Sequence, residues 1–323
     1  MKALLLIGGL GTRLRPVTEA VPKQLIPIAG KPILYHLFDL LPAGIEEVVL
    51  AMGYRAEQVA EYVRAHPPGF PVRSVVESAP LGSGGAMRFA GERISDPFYL
   101  LNTDVVAAAD LPALEALRVK RSALGVMALA SVEDTRPYGV AALDGDRITR
   151  FVEKPPLGDA PSNWINAGIS VWRREVLDAI PAERALSFEK EILPGLLDRG
   201  IYGHRLVGFW EDAGAPDRVL RAQRFLFDAG RATHPGLPSG AFGSPLVCSG
   251  ADLVATGAEF GPYVHLGAGV RVASGARVAD SVLMDRAEVG AGAVVTGSIL
   301  GPRTSVPAGA RVAGRILASD TPL

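Results

Sequence analysis

Along roughly the first 230 residues, apolar positions recur at two alternating periods, those of strands and of amphipathic helices. Lys2–Ile7 predicts a strand running into a glycine-rich turn. Between Pro32 and Leu41, the residues Ile33, Leu34, Leu37 and Leu41 fall on one helical face, and Pro32 suits the first turn. Glu47–Met52 predicts a strand, Arg55–His66 a helix with Val59, Tyr62 and Val63 inward, and Val72–Glu77 a strand. Ser83–Arg93 predicts a helix, and Phe98–Asn102 a strand ending at Thr103-Asp104. This alternation predicts an α/β, Rossmann-like domain with a mostly parallel sheet and helices on both faces. Ligands of such sheets bind beyond the carboxyl ends of the strands, the edge where the glycine turn and Asp104 both fall.

From about 123 to 172 the pattern becomes strand-rich, with Leu124–Ala130, Tyr138–Leu143, Arg147–Glu153 and Gly168–Trp172. These predict an inserted antiparallel region with a turn at Asp144-Gly145-Asp146. Helices are predicted again at Arg173–Ile180, Phe188–Arg199 and Ala215–Ala229. The Pro-, Gly- and Ser-rich segment around 233–245 reads as a linker between a domain at 1–232 and another at 246–323. In that second domain Phe260, Leu266, Val272, Val278 and Met284 recur every six residues. The register slips by one to Val289 and Val295, and slips again to Leu300, Val306 and Val312. Hexapeptide repeats without a helical period predict a short β-helix of about three coils.

The 323 residues are enough for two domains, and 33 basic against 34 acidic residues leave a net charge of −1. So even a balance offers no field for a nucleic-acid backbone or an anionic membrane, and neither is expected as a partner. No apolar run approaches the length of a membrane span. The single cysteine, Cys248, excludes a disulfide within the chain and a cysteine-based zinc cluster, and suits the cytoplasm. Five scattered histidines lack ligand spacing, and lysine is scarce, six residues against 27 arginines. Three of those lysines, Lys23, Lys31 and Lys154, lie inside motifs.

The turn after the first strand reads Gly8-Gly9-Leu10-Gly11-Thr12-Arg13-Leu14. Its glycines let backbone N–H groups cradle phosphate oxygens, although it fits neither a dinucleotide fingerprint nor a Walker loop. Read on through Pro16, Thr18, Pro22-Lys23, Leu25, Pro27 and Lys31-Pro32, it is GGxGTRLxPxTxxxPKxLxPxxxKP. This pattern resembles the signature of the sugar-1-phosphate nucleotidyltransferases, the NDP-sugar pyrophosphorylases. Further segments agree in order: Pro80-Leu81-Gly82, Leu101-Asn102-Thr103-Asp104, Phe151-Val152-Glu153-Lys154-Pro155, Asn166-Ala167-Gly168, Ser187-Phe188-Glu189-Lys190-Glu191 and Phe209-Trp210-Glu211-Asp212-Ala213-Gly214. Within the family, GDP-mannose pyrophosphorylases look nearest, and a C-terminal left-handed β-helix accompanies several members.

The resemblance implies attack by a sugar-1-phosphate on the α-phosphorus of an NTP, with release of pyrophosphate and a need for Mg²⁺. It places Gly8, Gly9, Gly11, Thr12 and Arg13 around the nucleotide phosphates, with Lys23 near the α-phosphate. Asp104 and Asp212 resemble the metal carboxylates, and Thr103 stands where many members have Gly. Asp110 reads instead as a helix N-cap. Lys154 is implied to bind the sugar phosphate, and Glu153 and Asn166, with the backbone at Gly139 and Gly168, to surround the sugar. Trp172 and Trp210 read as core or pocket wall.

Glu77 precedes Gly82 by five residues, at the position where family members read the base. Guanine offers two adjacent donors that one carboxylate accepts, whereas thymine and uracil present an acceptor there, so Glu77 favours GTP. GTP with mannose-1-phosphate is therefore the expected pair. Glucose-1-phosphate with dTTP or UTP is the alternative, and a heptose-1-phosphate with GTP also fits. A β-helix acyltransferase using His265 as base is a different class, and a non-catalytic regulatory homologue a third. The β-helix is expected to serve a homo-oligomer or regulation.

Overall fold

The computed structural model describes residues 1–182, 184–232, 246–248, 254–255 and 257–319, so the expected linker at 233–245 lies outside the described residues. Packing gathers two compact units, Met1–Gly9 with Leu37–Trp210, and Leu10–His36 with Glu211–Leu323.

In the first unit, nine strands make one sheet: β1 (Lys2–Ile7), β2 (Val48–Met52), β3 (Val72–Val76), β4 (Phe98–Asn102), β5 (Gly125–Ser131), β6 (Gly139–Asp144), β7 (Arg147–Glu153), β8 (Trp164–Trp172) and β9 (Ile201–Arg205). Their order is β3-β2-β1-β4-β8-β5-β9-β7-β6. The first four are parallel, with Ile7 opposite Met52, Met52 opposite Val76 and Leu6 opposite Asn102. Leu4 and Leu5 point to opposite faces of β1 and are both fully buried, as a central strand covered on both sides requires. Around Arg55–His66 the apolar spacing yields a helix at Ala56–Ala65 that buries Val59 and Val63.

The strand-rich stretch is not a separate insertion. β8 runs antiparallel to both β4 and β5, so residues 125–172 continue the same sheet. β8 also begins earlier than its sequence pattern suggests, because a bulge interrupts it between Asn166 and Ser170, with Gly168 at φ +72°. The expected hairpin turn does form, pairing Asp144 with Arg147 about Gly145 at φ +62°. Two of the predicted helices form, but not as α-helices. Arg174–Ala179 is a 3₁₀ segment, and Phe188–Ile192 is a π-turn followed by a 3₁₀ segment at Leu193–Arg199. Pro194, which has no N–H, cannot continue an α-ladder there. Asp110 caps the helix Leu111–Arg121 as expected, its Oδ1 accepting the Ala113 N–H at 3.0 Å.

The second unit holds the signature segment from Leu10 onward, the helix Pro216–Asp228 and the C-terminal strands. Those strands fall into three parallel sheets, each strand pairing with the one about three hexads on, as in Val264–Leu266 with Ser281–Leu283. Their shared interior contains Phe260, Leu266, Val272, Val278, Val289, Val295, Leu300, Val306 and Val312, the hexad positions expected from the sequence. Met284 is a correction. Leu283 stands in register with Leu266 and Leu300 and joins the interior, so the slip comes one residue earlier.

Candidate active site

Because β3, β2, β1 and β4 are adjacent and parallel, their carboxyl ends form one edge of the first unit. Gly8 and Gly9 leave β1 there, Glu77 follows β3, and Asp104 follows β4. Nothing lies within 4 Å of where a Cβ on Gly8 or Gly9 would sit, so that backbone is open to a ligand. Thr103 anchors the β4 end by donating its hydroxyl to the Leu6 carbonyl at 2.9 Å.

Glu77 is half-buried, and its Oε2 accepts the Leu81 N–H at 3.1 Å. Burial pushes its pKa above the ordinary carboxylate range, and the Leu81 N–H only partly opposes this. Gly82 then turns the chain at φ +69°, and an added Cβ would lie 2.4 Å from the Leu186 carbonyl oxygen. Leu186 is bonded on both sides of this turn, donating to Leu81 O at 2.9 Å and accepting from Gly84 N at 3.1 Å. Gly82→Ala is expected to lower unfolding stability by roughly 2–4 kcal/mol, from left-handed strain and overpacking together. Chemical denaturation checks this, and an unchanged midpoint would contradict it.

On the far side of β4, Gly139 lies opposite Glu153. A Cβ there would come within 2.3 Å of Phe151 Cζ and 2.7 Å of Glu153 Oε2, so the glycine makes room for both side chains. Lys154 Nζ lies 3.0 Å from Glu153 Oε1 and is well exposed, and its N–H donates to Tyr138 O at 2.9 Å. Asn166 Oδ1 accepts the Gly168 N–H at 3.0 Å inside the bulge. Trp210 donates to Ala167 O at 2.9 Å and meets Tyr138 edge-on. The structure therefore brings Gly139, Glu153 and Asn166 to neighbouring strands.

A small cavity between these strands and the π-turn is lined by Asn102, Asn166, Gly168, Ser170 and Glu189, with Trp172 and Phe188 at its back. Glu189 accepts from Ser83 Oγ at 2.5 Å and from Ser187 Oγ at 3.2 Å. Asn102 and Glu189 received no role from sequence, although both sit within matched segments. That co-occurrence was the one available signal.

In the second unit, Gly11 is left-handed, and an added Cβ would lie 2.8 Å from Thr18 Cγ2 and 3.4 Å from Lys23 Cβ. Thr18 also donates to Gly11 O at 2.8 Å, and the Lys23 stem lies beside the same glycine. Lys23 is almost fully buried, and Arg13 is exposed with Nη2 3.6 Å from Asp212 Oδ2. Arg218 Nη1 also bonds Asp212 Oδ2, at 3.2 Å, while Asp212 Oδ1 is buried without a hydrogen-bond partner. A Cβ on Gly214 would lie 2.5 Å from Arg13 Nη2 and 2.6 Å from Asp212 Oδ1. One oriented, desolvated carboxylate oxygen fits a hard cation such as Mg²⁺, which takes few protein ligands. Among the described residues no three or more His, Cys, Asp or Glu side chains cluster as a metal site. His265, the base an acyl-transfer reading would need, is buried, and its Nδ1 accepts the Gly30 N–H at 3.2 Å. Among the described residues no helix is long and apolar enough to cross a membrane.

Residues 2–229 match the family model for nucleotidyl transferases, and residues 244–322 match that for the GMPPB C-terminal domain. The chain is 37% identical over 297 residues to a mannose-1-phosphate guanylyltransferase of Mycobacterium tuberculosis, covering 89% of this chain and 81% of the relative. It is 36% identical over 299 residues to mannose-1-phosphate guanylyltransferase 1 of Arabidopsis thaliana, covering 88% and 81%. Among solved structures, HddC of Yersinia pseudotuberculosis complexed with GMP-PN aligns with a TM-score of 0.57 at 26% identity, over 70% of this chain and 99% of that one.

Proposed function

The chain belongs to the nucleotidyl transferase family, and from that premise we propose that it joins GTP and mannose-1-phosphate into GDP-mannose, releasing pyrophosphate. One observation carries this reading. Open glycine backbone, a half-buried Glu77 and Asp104 share the edge of four adjacent parallel strands, in a chain similar to guanylyltransferases.

In the reaction a phosphate oxygen of mannose-1-phosphate attacks the α-phosphorus, and the electron pair of the breaking bond leaves on pyrophosphate. Backbone N–H groups of Gly8, Gly9, Gly11 and Thr12 receive phosphate oxygens, and Arg13 faces the β- and γ-phosphates. Lys23 puts its charge at the α-phosphate, where negative charge redistributes as the bonds exchange. Lys154 binds the sugar phosphate, while Glu153 and Asn166 accept and donate to sugar hydroxyls. The carboxylates of Asp104 and Asp212 are those we assign to Mg²⁺, which when bound neutralises phosphate charge. We further read the C-terminal sheets as a left-handed β-helix, the assembly as a homo-oligomer and the compartment as the cytoplasm. The hexads support the first, and the terminal strands, which have no further strand beside them among the described residues, support the second. GTP labelled at the α-phosphate tests the chemistry. The label should pass into GDP-mannose, and its appearance in pyrophosphate would contradict attack at that phosphorus.

In this reading Glu77, through Gly82 and Leu81, receives the guanine edge. Glu77→Gln is expected to narrow the preference for GTP over dTTP by about tenfold or more, since an amide also suits thymine. The preference should also weaken as pH falls, at a higher pH than an exposed glutamate would give, because reading guanine needs the ionised form. The stability term has the opposite sign. With its folded pKa raised, Glu77 favours folding below its unfolded pKa and loses that contribution as pH rises through the folded value. Nucleotide competition across pH, in wild type and variant, checks the preference, and denaturation across pH checks the stability. Identical profiles would remove Glu77 from the base site.

A further inference from the structure

The turn Ile28–Gly30 closes the short hairpin that follows Lys23 in the signature segment, with Pro27–Ile28 pairing Lys31–Pro32. Ala29 and Gly30 both have positive φ, at +45° and +100°, as two-residue hairpin loops favour, and only Ala29 bears left-handed strain. Three buried side chains also bond this turn. His36 Nε2 bonds Ile28 O at 2.9 Å, Gln223 Oε1 accepts the Ala29 N–H at 3.4 Å, and His265 Nδ1 accepts the Gly30 N–H at 3.2 Å. Gln223 is completely buried and turns its Nε2 to the carbonyls of Tyr263 and Ser281, at 2.8 and 3.3 Å. The helix Pro216–Asp228 and the strand that carries His265 thus meet on one turn of the signature segment.

Burial explains why the sheet containing His265 is the one that does this. Leu266, Leu283 and Leu300 face the shared interior, so the alternation turns His265, Val282 and Ile299 to the other face. An outer face of a lone hexad repeat would be wet, yet these three are buried to within 1%. Val17 of the signature segment lies against Gly301 on the same sheet, within 3.1 Å of where its Cβ would be. From the turn, contacts lead back to the chemistry: Ile33 N bonds Ile26 O at 3.1 Å, Ile26 N bonds Lys23 O at 3.1 Å, and the Lys23 stem packs on Gly11.

We propose that His265 is a positioning residue for nucleotidyl transfer: by accepting the Gly30 N–H it lets the C-terminal sheet fix the signature hairpin and, through Ile26, the placement of Lys23. The inference rests on the proposed guanylyl transfer and goes beyond it, since it gives the C-terminal sheets a part in turnover within one chain. A lysine that must meet a transferring phosphoryl group tolerates little displacement, and a shift of about 1 Å can cost on the order of 10²-fold in rate.

The test compares His265→Leu, which keeps bulk but has no acceptor, with His265→Asn, whose Oδ1 can take the place of Nδ1. Pyrophosphate release from GTP and mannose-1-phosphate is expected to show kcat about tenfold lower in the Leu variant, with KM for mannose-1-phosphate within about twofold. The Asn variant should recover to within about threefold of wild type, and amide exchange at Gly30 should quicken only in the Leu variant. Wild-type kcat in His265→Leu, or an Asn variant as slow as the Leu variant, would overturn the inference. If His265→Leu is not recovered folded, His265→Met takes its place in the comparison with His265→Asn. It should show the same kcat loss, and wild-type kcat there would overturn the inference equally. A wild-type protein that turns over no NTP with any sugar-1-phosphate would instead overturn the functional reading itself, before any variant is compared.

Discussion

Asp212→Asn is expected to lower guanylyl transfer by about 10²–10³-fold while the protein still folds. The substitution keeps the shape of the side chain and removes its charge. Oδ2 is held by Arg218 at 3.2 Å with Arg13 nearby, and this fixes the direction of the buried, unpartnered Oδ1. An amide must place its NH₂ either against those guanidinium groups or where a cation would sit, and each choice loses a charge-assisted contact. Folding should survive because neighbouring Glu211 keeps its own ion pair with Arg221 at 3.0 Å. The Mg²⁺ concentration needed for half-maximal rate should rise with the loss of kcat, and Asp104→Asn should behave alike. Near-wild-type turnover at unchanged Mg²⁺ demand would remove Asp212 from the metal site.

Lys23→Met is expected to be comparably severe, about 10²–10³-fold in kcat, for a different reason. The Lys23 stem is buried against Gly11. Methionine can fill that channel, so the loss is of charge and not of packing. A charge that acts mainly as the phosphorus changes partners should affect kcat more than the KM for GTP. Single-turnover measurements separate the two. A large rise in KM with kcat intact would assign Lys23 to ground-state binding alone.

Much of this was readable from local pattern. The run Leu4–Ile7 is apolar on both faces, so it had to be a central strand. The glycines at 8 and 9 follow it directly, and hexad spacing foresaw the interior of the C-terminal sheets. What pattern missed is non-local or irregular. The bulge at Gly168 hid the first half of β8, making residues 125–172 look like an insertion when they extend the main sheet. A π-turn and a 3₁₀ segment share the apolar spacing of a helix, and only the backbone distinguishes them. Leu283 and Met284 are adjacent and both apolar, so spacing alone could not say which one faces inward. The bond from Gly30 to His265 spans more than two hundred residues, and no periodicity carries that distance. Base reading by Glu77 needed chemistry instead of pattern, since a lone strand-end glutamate is otherwise unremarkable.

The central claim is tested most directly by pyrophosphate release with Mg²⁺, crossing GTP, dTTP, UTP and ATP against mannose-1-phosphate and glucose-1-phosphate. The expected result is turnover fastest with GTP and mannose-1-phosphate. Faster turnover with dTTP or UTP and glucose-1-phosphate would contradict it, leaving the family in place and overturning both the substrate pair and the role given to Glu77.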